Sequence, residues 1–236
     1  MDEITYTLDN EVAIMTLNRG ENRFNNDFLD GFLANLDDIE TNTDARTLVV
    51  TSAHEKIFSN GIDLDWLSGF VQDGDTETVK GFLYKQNEMF KRIVTSPMIT
   101  IAAISGHAFA GGAIFACAFD FRLMRTDRGF FCFPEVDLGI PFLPGMLELL
   151  KSAIPLYKMD EMQYMGSRLT AEECLAHHIV TKACHLDDLM AEALAFARQF
   201  NKSRKTIGEM KKRMNRHIVH AIEVEDKPYI EQTRLV

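Results

Sequence analysis

Ile99-Thr100-Ile101-Ala102-Ala103-Ile104-Ser105-Gly106-His107-Ala108-Phe109-Ala110-Gly111-Gly112-Ala113-Ile114 is an apolar run that breaks on small residues and resumes towards Phe119. It predicts a strand, a tight turn and a helix. Glycines in such a turn let backbone N–H groups approach a ligand closely. The next apolar segment, Phe133-Pro134-Glu135-Val136-Asp137-Leu138-Gly139-Ile140, carries a carboxylate that could face that turn. A base opposite backbone donors is how a site removes a proton next to a carbonyl and holds the resulting enolate. Phe131, Phe133, Val136, Leu138 and Ile140 are expected to surround Glu135, desolvating it and lifting its pKa. Asp137, beside the Leu138-Gly139 turn signal, is read as structural.

Working outward, Thr47-Leu48-Val49-Val50-Thr51 is a strand followed by a loop from His54 to Gly61. That loop ends in Phe58-Ser59-Asn60-Gly61-Ile62-Asp63-Leu64, a second glycine-bearing turn. Two such turns could each donate one N–H to a shared carbonyl oxygen, with Asp63 bracing its own loop. Residues 3–8 and 11–17 alternate apolar and polar around Asp9-Asn10, a hairpin pattern. Phe28, Leu29, Phe32, Leu33, Leu36 and Ile39 have helical spacing, as do Phe82, Leu83, Met89, Phe90 and Ile93. A helix bearing Trp66 and Leu67 lies between them. Phe121 to Arg125 and Gly129 to Phe133 read as short strands around a turn, and the remainder is mostly helical. Thr170-Ala171-Glu172-Glu173 has capping-box spacing, and 187–200 is strongly helical. Strand–strand–helix units followed by helices make an α/β fold.

The 236 residues suit one packed domain, and no run of some 18 apolar residues suggests a membrane span. The acidic start Met1-Asp2-Glu3-Ile4 does not resemble a targeting leader, and Arg234-Leu235-Val236 is not the peroxisomal tripeptide, so a cytoplasmic location is expected. A net charge of −10 opposes non-specific nucleic-acid binding. The four cysteines form no Cys-x-x-Cys pair and read as buried thiols, and no histidine comes with a ligand cluster, so no metal site is expected. His107, in the glycine turn, reads as packing beside a strand end. No Gly-x-Ser-x-Gly, Walker or Gly-x-Gly-x-x-Gly motif occurs. One basic block stands out, formed by Lys202, Arg204, Lys205, Lys211, Lys212, Arg213 and Arg216. Alone it reads as a solvated helix face.

Taken in order and spacing, Leu17-Asn18-Arg19, Phe58 to Leu64, Ile101 to Ala108, Gly111-Gly112 and Pro134 to Gly139 resemble the crotonase family, the enoyl-CoA hydratase/isomerase superfamily. The resemblance implies a crotonase-like spiral of ββα units, an acyl-CoA-binding core over 1–175 and a helical C-terminal trimerisation region over 176–236. It implies an acyl-CoA thioester as ligand, coenzyme A being part of the substrate and no separate cofactor being needed. It also implies a homotrimer or dimer of trimers. The family's oxyanion hole falls on the N–H groups of Ile62 and Gly111. Lys56, Phe58 and Gly61 match the coenzyme side of the site, with Arg23 and Phe24 near it, and the basic block becomes a candidate contact for coenzyme phosphates. Trp66 is a further substrate-side candidate, although apolar residues such as those around it are more often core than substrate pocket.

Departures from the family pattern narrow the reaction. Of the two glutamates that hold water in the hydratases, the second aligns with Glu135 and the first with Ile114, so hydration is expected to be weak or absent. The aspartate that dienoyl-CoA isomerases carry eight residues after the second glutamate is Leu143 here. A single glutamate in an apolar site resembles the monofunctional Δ3-Δ2-enoyl-CoA isomerases, with Ile114, Phe142 and Leu143 excluding water. The alternatives are another family lyase or hydrolase, such as a decarboxylase or thioesterase, and a noncatalytic acyl-CoA-binding member.

Overall fold

A computed structural model describes residues 3–232. Arg234-Leu235-Val236 and Met1-Asp2 therefore lie outside the described residues. The strands are β1 (Thr5–Asp9), β2 (Val12–Leu17), β3 (Arg23–Phe24), β4 (Thr47–Ser52), β5 (Ile57–Ser59), β6 (Gly61–Ile62), β7 (Ile99–Ile104), β8 (His107–Phe109), β9 (Phe121–Arg125), β10 (Phe131–Cys132), β11 (Arg168–Leu169) and β12 (Lys182–Cys184). The helices are α1 (Asn26–Asn42), α2 (Leu64–Gln72), α3 (Thr76–Thr95), α4 (Gly111–Cys117), α5 (Glu135–Leu138), α6 (Pro144–Ala153), α7 (Leu156–Met165), α8 (Ala171–Ala176), α9 (Leu186–Ala197), α10 (Arg204–Met214), α11 (Arg216–His220) and α12 (Lys227–Glu231). A π-helical turn, Ala221–Glu225, joins the last two.

The large sheet runs β1-β2-β4-β7-β9-β12, antiparallel only at the β1–β2 hairpin. Its inner strands β2, β4 and β7 are largely apolar and buried because both faces are covered, as parallel strands require. On one face Val12, Val49, Ile101, Ala103 and Leu123 meet Leu189, Ala193 and Ala197 of α9. On the other, Leu48, Val50, Ala102 and Ile104 join the main core with α1 and α3. The helices start on side-chain caps, Asn25 accepting from the N–H of Phe28 and Asp75 from that of Thr78.

A second, four-stranded sheet runs β11-β10-β8-β5, and β3 pairs with β6. Segments 121–125 and 129–133 do not pair with each other, since β9 joins the large sheet and β10 the small one. The region from 176 onward is mostly helical and packs into the same body: β12 is an edge strand of the large sheet, and α9 covers one face. The C-terminal turn is docked by Asp226, fully buried, which accepts from the N–H of Gly145 at 2.7 Å and the side-chain amide of Asn87 at 2.8 Å.

Candidate active site

The two glycine turns meet. Gly61 has φ +74°, and a Cβ there would stand 2.5 Å from the amide nitrogen of Gly111. Nothing but glycine permits that contact, so β6 and the start of α4 lie backbone to backbone. Asp63 donates its N–H to Phe24 O at 2.9 Å across the β3–β6 pair. Successive amides of a strand point to opposite edges, so the N–H of Ile62 faces α4. Gly111 is the first residue of α4 and its N–H has no intrahelical acceptor. The turn is held by Ala110, at φ 52°, whose N–H donates to Cys132 O at 3.0 Å. A non-glycine residue there costs about 1–3 kcal/mol, and such strain is concentrated at functional turns.

Glu135 opens a short helix, α5, after Pro134. The alternation in sequence suggests a strand end instead. The helical turn leaves Val136 and Leu138 about half exposed, so they do not enclose Glu135 as expected. Asp137 is exposed beside them. Glu135 itself is 7 % exposed, its Oε2 has no hydrogen-bond partner, and burial pushes its pKa up to about 7.

Glu135 stands where three cavities meet. A cleft of about 340 Å³ is lined by Ile62, Phe109, Ala110, Gly111 and Glu135, with Arg23, Asn60 and Asp65 at its polar end. An apolar pocket of about 280 Å³ continues from it between Ile62, Leu67, Leu83, Ile114, Phe142 and Met146. Among its lining residues Glu135 is the only ionisable one. A third cavity lies between α5 and α7, lined in part by Pro141, Phe142, Gln163 and Tyr164.

The structure thus brings together Glu135, Ile62, Gly111, Gly61, Ile114, Phe142 and Arg23. Arg23 is paired with Glu21 at 2.7 Å and Asp65 at 3.4 Å. Other expected side chains lie elsewhere. Phe24 and Phe58 are fully buried, packing against Phe28 and Phe115, because their strands present these rings to the core. Leu143 faces the core at the start of α6, and Met146, one turn on, lines the pocket in its place. Trp66 packs edge-on against Phe70 and Phe82 and borders a separate polar cleft with Arg19 and Arg23. Lys56 is exposed and lines none of the three cavities at Glu135, although its carbonyl accepts the His107 N–H.

Two of the seven basic-block residues are structural: Lys211 is buried on Ile93 O, Met98 O and Asp120, and Arg204 binds Glu40 O and Thr43 O. His107 accepts the N–H of Phe130 at 3.2 Å, which fits its packing role. Leu83, Met146 and Gln163 are site residues that the sequence does not single out. Leu83 is one of many residues on a helical stripe, and nothing in sequence says which end of a stripe meets a cavity.

The family model for enoyl-CoA hydratase/isomerase matches residues 7–231. The chain belongs to the enoyl-CoA hydratase/isomerase family. Among its relatives is the enoyl-CoA delta isomerase 3 of Arabidopsis thaliana, 32 % identical over 74 % of each chain. The peroxisomal enoyl-CoA delta isomerase 2 of the same plant is 33 % identical over 70 % of each. A carnitinyl-CoA dehydratase of Salmonella arizonae is 35 % identical over 67 % of this chain and 58 % of its own. Among solved structures, an enoyl-CoA hydratase/isomerase family protein from Pseudomonas syringae superposes with a TM-score of 0.89 at 22 % identity, covering 100 % of this chain and 99 % of that one. At that identity the match establishes this enoyl-CoA hydratase/isomerase family member's fold. The fold is therefore the crotonase one, and the family that the chain belongs to is one of acyl-CoA-binding enzymes. No helix among the described residues is long and apolar enough to cross a membrane.

Proposed function

We infer that this family member is a Δ3-Δ2-enoyl-CoA isomerase. The observation that carries the reading is that a single ionisable side chain, Glu135, lines the apolar pocket beside the two glycine turns. The thioester carbonyl sits between the N–H groups of Ile62 and Gly111. Glu135, ionised, takes a proton from C2 of a 3-enoyl-CoA, and the electron pair spreads into a dienolate whose oxygen those amides hold. The protonated carboxyl then delivers a proton to C4, giving 2-trans-enoyl-CoA and restoring the carboxylate. Each oxyanion donor contributes on the order of 3 kcal/mol to such a step.

Three features support one base rather than two. Ile114, which lines the pocket, is the residue that aligns with the water-holding first glutamate of the hydratases, and it carries no carboxylate. The pKa of Glu135, pushed by burial to about 7, suits a group that must both accept and donate a proton near neutrality. Three enoyl-CoA delta isomerases are among the relatives. The cleft's polar end, with Arg23 and Asn60, is the side on which the coenzyme lies in this reading.

The test is conversion of trans-3-hexenoyl-CoA to the 2-trans product by the protein and by Glu135→Gln, with crotonyl-CoA hydration as control. We expect isomerisation that falls at least 10³-fold in the variant, in line with loss of an essential base, and negligible hydration by both. Isomerisation that survives the substitution, or hydration at a comparable rate, would overturn the reading.

A further inference from the structure

Among the described residues, four buried side-chain polar atoms have no hydrogen-bond partner: Gln86 Oε1, Asn87 Oδ1, Glu135 Oε2 and Gln163 Nε2. The last two belong to residues that line one cavity, the space between α5 and α7. One is an acceptor and the other a donor. An unmet polar atom buried in a protein costs about 1–3 kcal/mol, so a donor and an acceptor left unmet on two residues that line the same groove call for a common explanation. The groove is open to solvent, so water is at hand within it, and its wall includes Gln163 and Tyr164.

We propose that Gln163 is a positioning residue for Glu135, its amide donating through water in the α5–α7 cavity to Glu135 Oε2. This rests on the reading of Glu135 as the base. The contact fixes one carboxylate oxygen, Oε2. The other oxygen is left to carry the proton between two carbons of the acyl chain. A carboxylate held by one oxygen can swing the free one over a short arc, whereas an unheld side chain samples rotamers that point away from substrate. The donor also favours the ionised form of Glu135 and opposes the effect of burial.

Apart from the backbone N–H of Glu135 itself, which also favours the ionised carboxylate, the groups that face Glu135 leave this role to Gln163. From β10, Cys132 is a buried thiol whose pKa burial pushes up to about 11, leaving it protonated and uncharged. Across the cleft, Arg23 is paired with Glu21 and Asp65. Asp137, on the same helix, is exposed. From α7, Tyr164 is 74 % exposed at the mouth of the cavity. From α2, α4 and α6, the residues on the apolar pocket are uncharged.

The test uses the full chain with Gln163→Leu, Gln163→Asn and Glu135→Gln, assayed on trans-3-hexenoyl-CoA. For Gln163→Leu we expect turnover to slow roughly tenfold with KM little changed. The acid limb of its pH profile should rise by about half a unit or more, because the carboxylate has lost its donor. Gln163→Asn, which keeps a donor that water can extend, should recover most of both. Infrared titration of the Glu135 carboxyl in the ligand-free protein should show the same displacement without any turnover. A Gln163→Leu protein with unchanged kcat and unchanged carboxyl titration overturns the proposal. So does a loss of activity that leaves the titration where it was and that Gln163→Asn does not repair, which would mark a purely structural role. Glu135→Gln separates the two claims: if it stays active, the base assignment fails; if it is inactive while Gln163→Leu behaves as wild type, only the positioning role fails.

Discussion

Glu135 carries a tension between stability and chemistry that can be measured without substrate. Its pKa is raised from an ordinary carboxyl value of 4.5 to about 7 by burial, so the folded state binds its proton more tightly than the unfolded chain does. The sign follows directly. Below about pH 4.5 the carboxyl is protonated in both states and the folded state bears no penalty. As pH rises through about 7 the folded carboxyl ionises in its apolar surroundings and stability falls. A difference of this size is worth roughly 3 kcal/mol. Glu135→Gln should therefore be more stable than wild type at pH 8 and indistinguishable from it near pH 4.5, as read by urea unfolding at the two values. Equal stability at pH 8 would show that Glu135 is well solvated. That the base is visible in sequence owes much to its neighbours: a lone glutamate among Phe131, Phe133 and Ile140 stands out. Phe24, Phe58 and Leu143 mislead because an aromatic or aliphatic residue beside a functional turn reads the same whether it faces the ligand or the core. Only the face that the strand or helix presents decides.

The element that matters most is the pair of glycine turns, β6 against the start of α4. A methyl group on Gly61 would be forced against the Gly111 amide and into a left-handed backbone conformation. Gly61→Ala should push the two turns apart and misplace the N–H groups of Ile62 and Gly111. Turnover should then slow about a hundredfold or more, with the fold kept and circular dichroism unchanged. A Gly61→Ala protein of normal activity would mean that these amides do not hold the developing charge. Both turns are legible as glycine-bearing strand ends. Their mutual contact is not, because β5, β6 and β8 are two or three residues long and carry no periodicity. The sequence pattern puts Glu135 near a strand end and not on a helix for a similar reason: α5 is a four-residue helical turn, too short for a 3.6-residue repeat to show. The long elements are plain. Helix α3 buries Val79, Phe82, Leu83, Met89, Phe90 and Ile93 along one stripe, and the hairpin turns at Asn10 with φ 55°.

At the scale of the whole molecule, the spiral sets one apolar pocket, one polar cleft and one open groove around Glu135. Sequence order already implies repeated strand–strand–helix units, and the large sheet follows it in register from β2 to β9. What order cannot convey is which short strands leave that sheet to build the second one, since β9 and β10 are close in sequence and lie in different sheets. The basic block shows the same limit: Lys211 is drawn inside by Asp120 and two carbonyls, contacts that no local pattern announces. The claim that joins these scales is that one buried carboxylate, free of any ionisable neighbour in its pocket, does all the proton transfer. The pH dependence of kcat/KM for isomerisation of trans-3-hexenoyl-CoA tests it most directly. A single ionisation should govern the acid side, with the rate falling tenfold per pH unit below about 7 and level above it, since only the ionised base can take the C2 proton. A profile level from about pH 5 to 8, or one with its acid limb near 4.5, would contradict the account.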